Sequence, residues 1–281
     1  MSSTPWDYIA KLVCIGDSGC GKSSLTIRLC EGRFSAHHDV TIGVEFGSRI
    51  VPVGPPYTKP YVAPQPSSPS PSSSSSSPPP PQSTSKPPDV AAAKAPPQKH
   101  MKLSLWDTAG QETYKSVTRS YFRGASGALL VFDLSRRATF QHVTDWLNDL
   151  RQIAEPDIVV VLVGNKADLT KGPNSGDPDA AGAGAADADA DDRREVSRAE
   201  AEDWARRNSV LEYVETSAKS GENVERAFMR VAERIYHNIQ AGRYDLNDRR
   251  SGVKGPGGGG SGGRSLNLAD DSAKTGGGVC C

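Results

Sequence analysis

No apolar run in the 281-residue sequence approaches the roughly 18 residues that a membrane-spanning helix needs. The opening residues (MSSTPWDYIAK) lack the long apolar stretch of a signal peptide, and Ser2 excludes N-myristoylation, so neither leader nor myristoyl anchor is expected. The five cysteines make no disulfide framework and include no C-x-x-C pair of the zinc-binding kind; a reducing, cytosolic compartment is expected. Net charge is absent too, with 33 Lys plus Arg against 33 Asp plus Glu. No overall basic field argues for nucleic acid as a partner.

Only 36% of the residues are AVILMFWYC, against 28 Gly and 21 Pro, which suggests a normal core diluted by unstructured stretches. Residues 54–100 hold a serine run and many prolines, and residues 171–192 are rich in Ala, Gly and Asp. Both read as long surface-loop insertions, whose closure costs little more entropy than a short loop. The first could offer P-x-x-P ligands, though a plain disordered loop is the competing reading. In the second, the alternating Asp187, Asp189 and Asp191 hint at an EF-hand. Asp192 then falls where that loop needs Gly and Arg198 where it needs Glu, so a solvated acidic loop is expected. The Gly-rich tail, residues 242–281, reads as disordered, which ends the domain at residue 241.

What remains alternates. Residues 8–16, 44–53, 101–106, 128–134, 158–164 and 211–216 read as strands. Residues 22–31, 138–154, 197–208 and 223–239 read as helices, the third opened by a capping box of Ser197 and Glu200. The predicted fold is α/β: a six-stranded, mostly parallel sheet with one antiparallel edge strand and helices on both faces.

Residues 16–23 (GDSGCGKS) fit G-x-x-x-x-G-K-[ST] between a predicted strand and a predicted helix, the context a phosphate-binding loop requires. Gly16, Asp17, Ser18, Gly19, Cys20 and Gly21 would curl the backbone so that N–H groups point at phosphates. Lys22 would reach the β- and γ-phosphates, the Ser23 hydroxyl Mg²⁺, and Ser24 would extend the cradle. A chance Gly-rich turn is the bland alternative. Residues 106–112 (WDTAGQE) follow another strand. There Asp107 is placed to hold Mg²⁺, Gly110 to bring an N–H to the γ-phosphate, and Gln111 to orient the attacking water. After a third strand, Asn165-Lys166-Ala167-Asp168 offers a carboxylate for the N1–H and 2-amino group of guanine, which adenine lacks, with Asn165 on the other side of the base. Ser217-Ala218-Lys219, after the last strand, supplies a backbone N–H for the guanine carbonyl.

The series GDSGCGKS, TIGVEF, WDTAGQE, NKAD and ETSAK resembles the Ras-superfamily small GTPases, and within them the Rab family, over nearly all of residues 6–242 outside the insertions. TRSYFRGASGALLVFDLSRRATF is similar to the branch containing Rab two, four and fourteen, and YDLNDRRSGVK points to its Rab-four side. The resemblance implies a GTP-hydrolysing switch. Thr41 matches the switch I threonine that joins Ser23 on Mg²⁺ when γ-phosphate is present, and Phe34 the aromatic that packs against guanine. Gln111 matches the catalytic glutamine. Phe46, Trp106 and Tyr121 match the aromatic triad through which effectors sense the nucleotide; three plain core aromatics are the competing reading. With no arginine in the loop or switch I placed to act in cis, slow hydrolysis dependent on a GTPase-activating protein is expected, along with a guanine-nucleotide exchange factor and effectors.

The resemblance also implies that Cys280 and Cys281 carry geranylgeranyl chains, added with an escort protein and transferase and shielded in the cytosol by a GDP-dissociation-inhibitor carrier. Two lipid chains anchor stably where one does not; two incidental thiols are the alternative. The expected place is the cytoplasmic face of endosomes or Golgi, in vesicle traffic. Two rivals are a nucleotide-locked scaffold that recruits effectors without turnover, against which Lys22, Thr41 and Gln111 argue, and a P-loop ATPase or kinase, against which Asn165 and Asp168 argue.

Overall fold

In a computed structural model, the described residues are 5–36, 39–57, 97–170, 193–246, 248 and 251–255. Strands β1 (Tyr8–Ile15), β2 (Val44–Val53), β3 (Lys99–Thr108), β4 (Gly127–Asp133), β5 (Val159–Asn165) and β6 (Glu212–Glu215) lie in the order β2-β3-β1-β4-β5-β6. Every residue of β4 and β5 is buried, as strands covered by helices on both faces must be. All pairs in this order are parallel except β2 with β3, which run antiparallel in unbroken register from Val44–Thr108 to Val53–Lys99.

The two faces of the sheet carry separate cores because successive side chains alternate. Ala10, Leu12 and Cys14 face one way, packing with Leu25 and Leu29 of α1 (Lys22–Glu31) and Phe228, Val231 and Ile235 of α6 (Val224–Gln240). Val13 and Ile15 face the other, packing with Trp146, Leu147 and Leu150 of α4 (Val143–Ile153) and Ala201 and Ala205 of α5 (Arg198–Arg207). Ser197 caps α5 as its pattern predicts, accepting from the Glu200 N–H at 3.3 Å, while the Glu200 carboxylate turns away to Arg137. Among the described residues no helix is long and apolar enough to cross a membrane.

Four details depart from the sequence reading. The helix expected over 138–154 is two, α3 (Arg137–Gln141) and α4, separated at His142. A short helix α2 (Lys115–Ser120) follows WDTAGQE where none was predicted. The insertion expected over 54–100 is narrower. β3 starts at Lys99 rather than residue 101, and the Gln98 side chain donates to the Val53 carbonyl (3.0 Å) while accepting from the Tyr57 N–H (3.1 Å), closing the hairpin base.

The fourth concerns the tail, which does not leave the domain at residue 241. A seventh strand, β7 (Val253–Lys254), pairs antiparallel with β1 opposite Ala10 and Ile9, and Val253 is wholly buried. Gly252 allows this, since a Cβ there would lie 1.7 Å from the Gly124 carbonyl oxygen, and its own carbonyl accepts from the Lys11 N–H at 2.8 Å. Residues 58–96, 171–192 and 256–281, which hold the proline-rich stretch, the acidic run and Cys280 and Cys281, lie outside the described residues.

Candidate functional site

The four motif-bearing loops all leave the carboxyl ends of parallel strands. They lie around β1, where the chain goes to β3 on one side and β4 on the other, the place where open α/β sheets bind ligands. Residues 16–23 join β1 to α1. Gly16 has φ +136° and would press a Cβ to 2.0 Å from the Val131 carbonyl oxygen, and Gly21, at φ +89°, would press one to 2.3 Å from Asn165 Nδ2. Lys22 is buried, and its ammonium donates to the Gly16 and Asp17 carbonyls, each at 2.9 Å. Burial lowers its pKa, while the nearby Asp107 carboxylate favours the charged form. A buried cation held only by backbone carbonyls suits an anion such as phosphate.

The loop is held from outside as well. Trp146 Nε1 donates to Asp17 Oδ1 at 2.8 Å and His142 Nδ1 lies 2.7 Å from Asp17 Oδ2, while Arg136 Nη2 donates to the Ser18 carbonyl at 3.1 Å. Asp17 therefore points away from the cavity, toward α4.

At the base end, Asn165 Nδ2 donates to the Cys20 carbonyl (2.8 Å), and Asn165 Oδ1 accepts from Thr216 Oγ1 and the Ala218 N–H (3.2 Å each). The sequence reading gives Asn165 one side of the base; here its side chain braces three loops to one another. Lys166, in the left-handed region at φ +67°, pairs with Asp133 at 2.8 Å. Asp168 accepts from the Ser217 hydroxyl at 2.6 Å, and Ser217 is itself buried behind it. Arg28 ties α1 to the same region by donating from Nε to the Ala218 carbonyl at 2.9 Å.

These pieces enclose one cavity of about 450 Å³, within the range of small-molecule sites. Ser18, Gly19, Gly21, Lys22, Ser23, Ser24, Phe34, Thr41, Gly110, Asn165, Lys166, Asp168, Ala218 and Lys219 line it; of the predicted nucleotide-contacting residues, Gly16, Asp17, Cys20 and Ser217 do not. Ser35, Ala36, Asp39, Val40 and Leu169 line it as well, unpredicted because no motif marks them.

At the phosphate end, Ser23 Oγ and Thr41 Oγ1 are 2.8 Å apart, and the buried Asp107 lines the adjoining cavity together with Ser23. Hard oxygen donors of this kind fit Mg²⁺. Gly110 comes so close that a Cβ would sit 2.5 Å from both Lys22 Nζ and the Gly16 carbonyl oxygen, and half-buried Gln111 follows it. The two candidate switch segments meet through the Ala109 N–H, which donates to the Gly43 carbonyl at 2.9 Å. Beyond them the three predicted aromatics touch. Phe46 stands edge-on to Trp106 with centroids 4.6 Å apart, Trp106 lies 5.4 Å from Tyr121, and Lys11 Nζ sits 3.9 Å over the Trp106 ring. Phe46 and Ile42 remain largely exposed, so these are not three plain core aromatics.

Missed altogether were Arg28, Asp133, Arg136, His142 and Trp146. The one available signal was a charged residue, Asp133, ending an otherwise apolar strand.

A phosphate loop, a strand-end carboxylate beside it and a second carboxylate at the base end of one cavity define a P-loop nucleotide-binding protein. The family model for the Ras family matches residues 11–59 and 88–237. The chain belongs to the Ras family: it is a small GTPase, a switch that binds guanine nucleotide and hydrolyses GTP. Proteins of this superfamily work with activating proteins, exchange factors and effectors.

Proposed function

We propose that this GTPase is of the Rab kind and directs vesicle traffic from the cytoplasmic face of endosomal, recycling or Golgi membranes. The continuity of one segment supports the reading. It begins at Thr41, whose hydroxyl meets Ser23 at 2.8 Å, and five residues on it delivers Phe46 to Trp106 and Tyr121. A change at the γ-phosphate is thereby passed directly to an exposed aromatic surface.

Ser23, Thr41 and Asp107 would hold Mg²⁺, which supplies charge neutralisation to the transferring phosphoryl group. Lys22 exchanges the Gly16 and Asp17 carbonyls for phosphate oxygens, Gly110 offers its N–H, and Gln111 orients the attacking water. Asp168 reads guanine and Phe34 packs against it. Cys280 and Cys281 carry two prenyl chains, added by the escort and transferase and shielded by the carrier. Single-turnover phosphate release from GTP-loaded protein tests the switch: hydrolysis that is slow, faster with an activating protein and lost in Gln111→Leu is expected. Absence of hydrolysis even with activating proteins would favour the locked scaffold. Imaging of the tagged full chain beside C280S/C281S tests the membrane reading, with a diffuse variant expected.

A further inference from the structure

β4 is apolar and buried up to its last residue, Asp133, whose side chain is 1% exposed. An ionised carboxylate is tolerated there only if its lone pairs are filled, and both oxygens are. Oδ1 accepts from the Ser135 N–H (3.0 Å) and hydroxyl (2.7 Å), and Oδ2 from Arg136 Nε (2.9 Å) and Lys166 Nζ (2.8 Å). Burial pushes its pKa up, but the bonds from Lys166 and Ser135 outweigh this and hold it below the usual carboxylate value.

The two cations on Oδ2 go to different ends of the cavity. Arg136 reaches on through Nη2 to the Ser18 carbonyl at 3.1 Å, over the turn at Gly19, where a Cβ would come to 3.3 Å from the same nitrogen. Lys166 opens the base loop that carries Asp168. One buried carboxylate thus ties the phosphate side and the base side together. Burial of Asp133 explains why its partners are cations, but not why the Arg136 side chain, itself 45% exposed, reaches on to the Ser18 carbonyl.

We propose that Asp133 is a positioning residue that, through Arg136 and Lys166, holds the phosphate loop and the base loop in fixed relation and so sets the rate of nucleotide release. This rests on the cavity being the guanine-nucleotide site. The fork of the arginine is essential: Nε takes Asp133 while Nη2 takes Ser18, a span that the single ammonium of lysine does not reproduce.

The test measures dissociation of fluorescent GDP from the full chain and its R136A, R136K, D133N and D133N/R136A variants, each checked for fold by circular dichroism with nucleotide bound. R136A is expected to release GDP about tenfold faster, the scale of one charge-assisted hydrogen bond. R136K should release as fast as R136A, whereas a role through charge alone would leave it like wild type. Asparagine offers one oxygen where Asp133 uses two, so D133N should be at least as fast as R136A. Adding R136A to it should change the rate by less than about twofold, as expected for residues acting in one network. R136A and R136K both within about twofold of wild type, or R136A adding its full effect on top of D133N, would overturn the proposal. If D133N does not fold, the two Arg136 variants decide alone. Wild-type protein that fails to retain GDP would overturn the nucleotide reading itself; retention with unaltered variants overturns only this inference.

Discussion

The backbone N–H of Arg193 donates to the Leu169 carbonyl at 3.2 Å, which joins the described residues on either side of 171–192. Arg194 then reaches from this seam to β6, donating twice to Glu215 at 3.0 and 2.9 Å and once to Thr170 Oγ1 at 3.2 Å.

The residues on either side of 171–192 are therefore already bonded to each other, and replacing that segment by a short turn is expected to leave the cavity lining in place. The same holds for residues 58–96, because the β2–β3 ladder is complete to Val53–Lys99. A chain lacking both is expected to bind GDP with an affinity within severalfold of the full chain. Titration with fluorescent GDP checks this, and a large loss of binding would count against it.

The Arg194–Glu215 pair is 14% and 10% exposed, so removing one partner strands a nearly buried charge. Arg194→Ala is expected to cost about 3 kcal/mol in urea denaturation, the scale for breaking such a pair.

Burial pushes the Glu215 pKa up, but the Arg194 and Tyr213 bonds outweigh it and leave it lowered; Asp133 is lowered in the same net sense. Since both folded pKa values lie below the unfolded ones, their stabilisation is complete above the ordinary glutamate value of 4.5 and is lost as pH falls below it. Urea midpoints should be flat near neutrality and fall in the acid range, and Glu215→Gln should reduce that acid dependence.

Gly21→Ala forces a side chain into the left-handed region and to 2.3 Å from the Asn165 amide that braces Cys20. Backbone strain of this kind is worth about 1–3 kcal/mol, so GDP release should quicken roughly 10- to 100-fold. Stopped-flow displacement reads it directly.

Truncation after Ala241 removes Val253, wholly buried on β1, and the bond from Lys11 to Gly252. Burying one valine contributes about 1.5–3 kcal/mol, so the melting temperature should fall by about 5–10 °C. Gly252→Ala, which collides with the Gly124 carbonyl, should reproduce most of that fall in the full chain.

The four loops were legible because each answers a local demand: inward N–H groups for phosphate, a carboxylate for guanine. Their braces were not. Arg136 and Ser18 are 118 residues apart in sequence, and Trp146 and Asp17 are 129 apart, so no local period announces either contact. The stretch 138–154 reads as one helix because Phe140, Val143, Trp146, Leu147 and Leu150 keep helical spacing across the break at His142. β7 was missed for the opposite reason. Val253 is a lone apolar residue among Gly and charged neighbours, and its burial depends on Gly252 fitting against Gly124, a contact made only after folding.

That small strand has a geometric consequence. β7 pins the chain to the end of β1 remote from the phosphate loop, so Cys280 and Cys281 are joined to the domain through residues 256–281 rather than 242–281. A tether's length governs the effective concentration of what it carries, which falls roughly as the −3/2 power of that length once the span is covered. On the proposed prenyl anchor at Cys280 and Cys281, peeling β7 from β1 would add residues 242–255 to the connection and dilute the domain around the membrane.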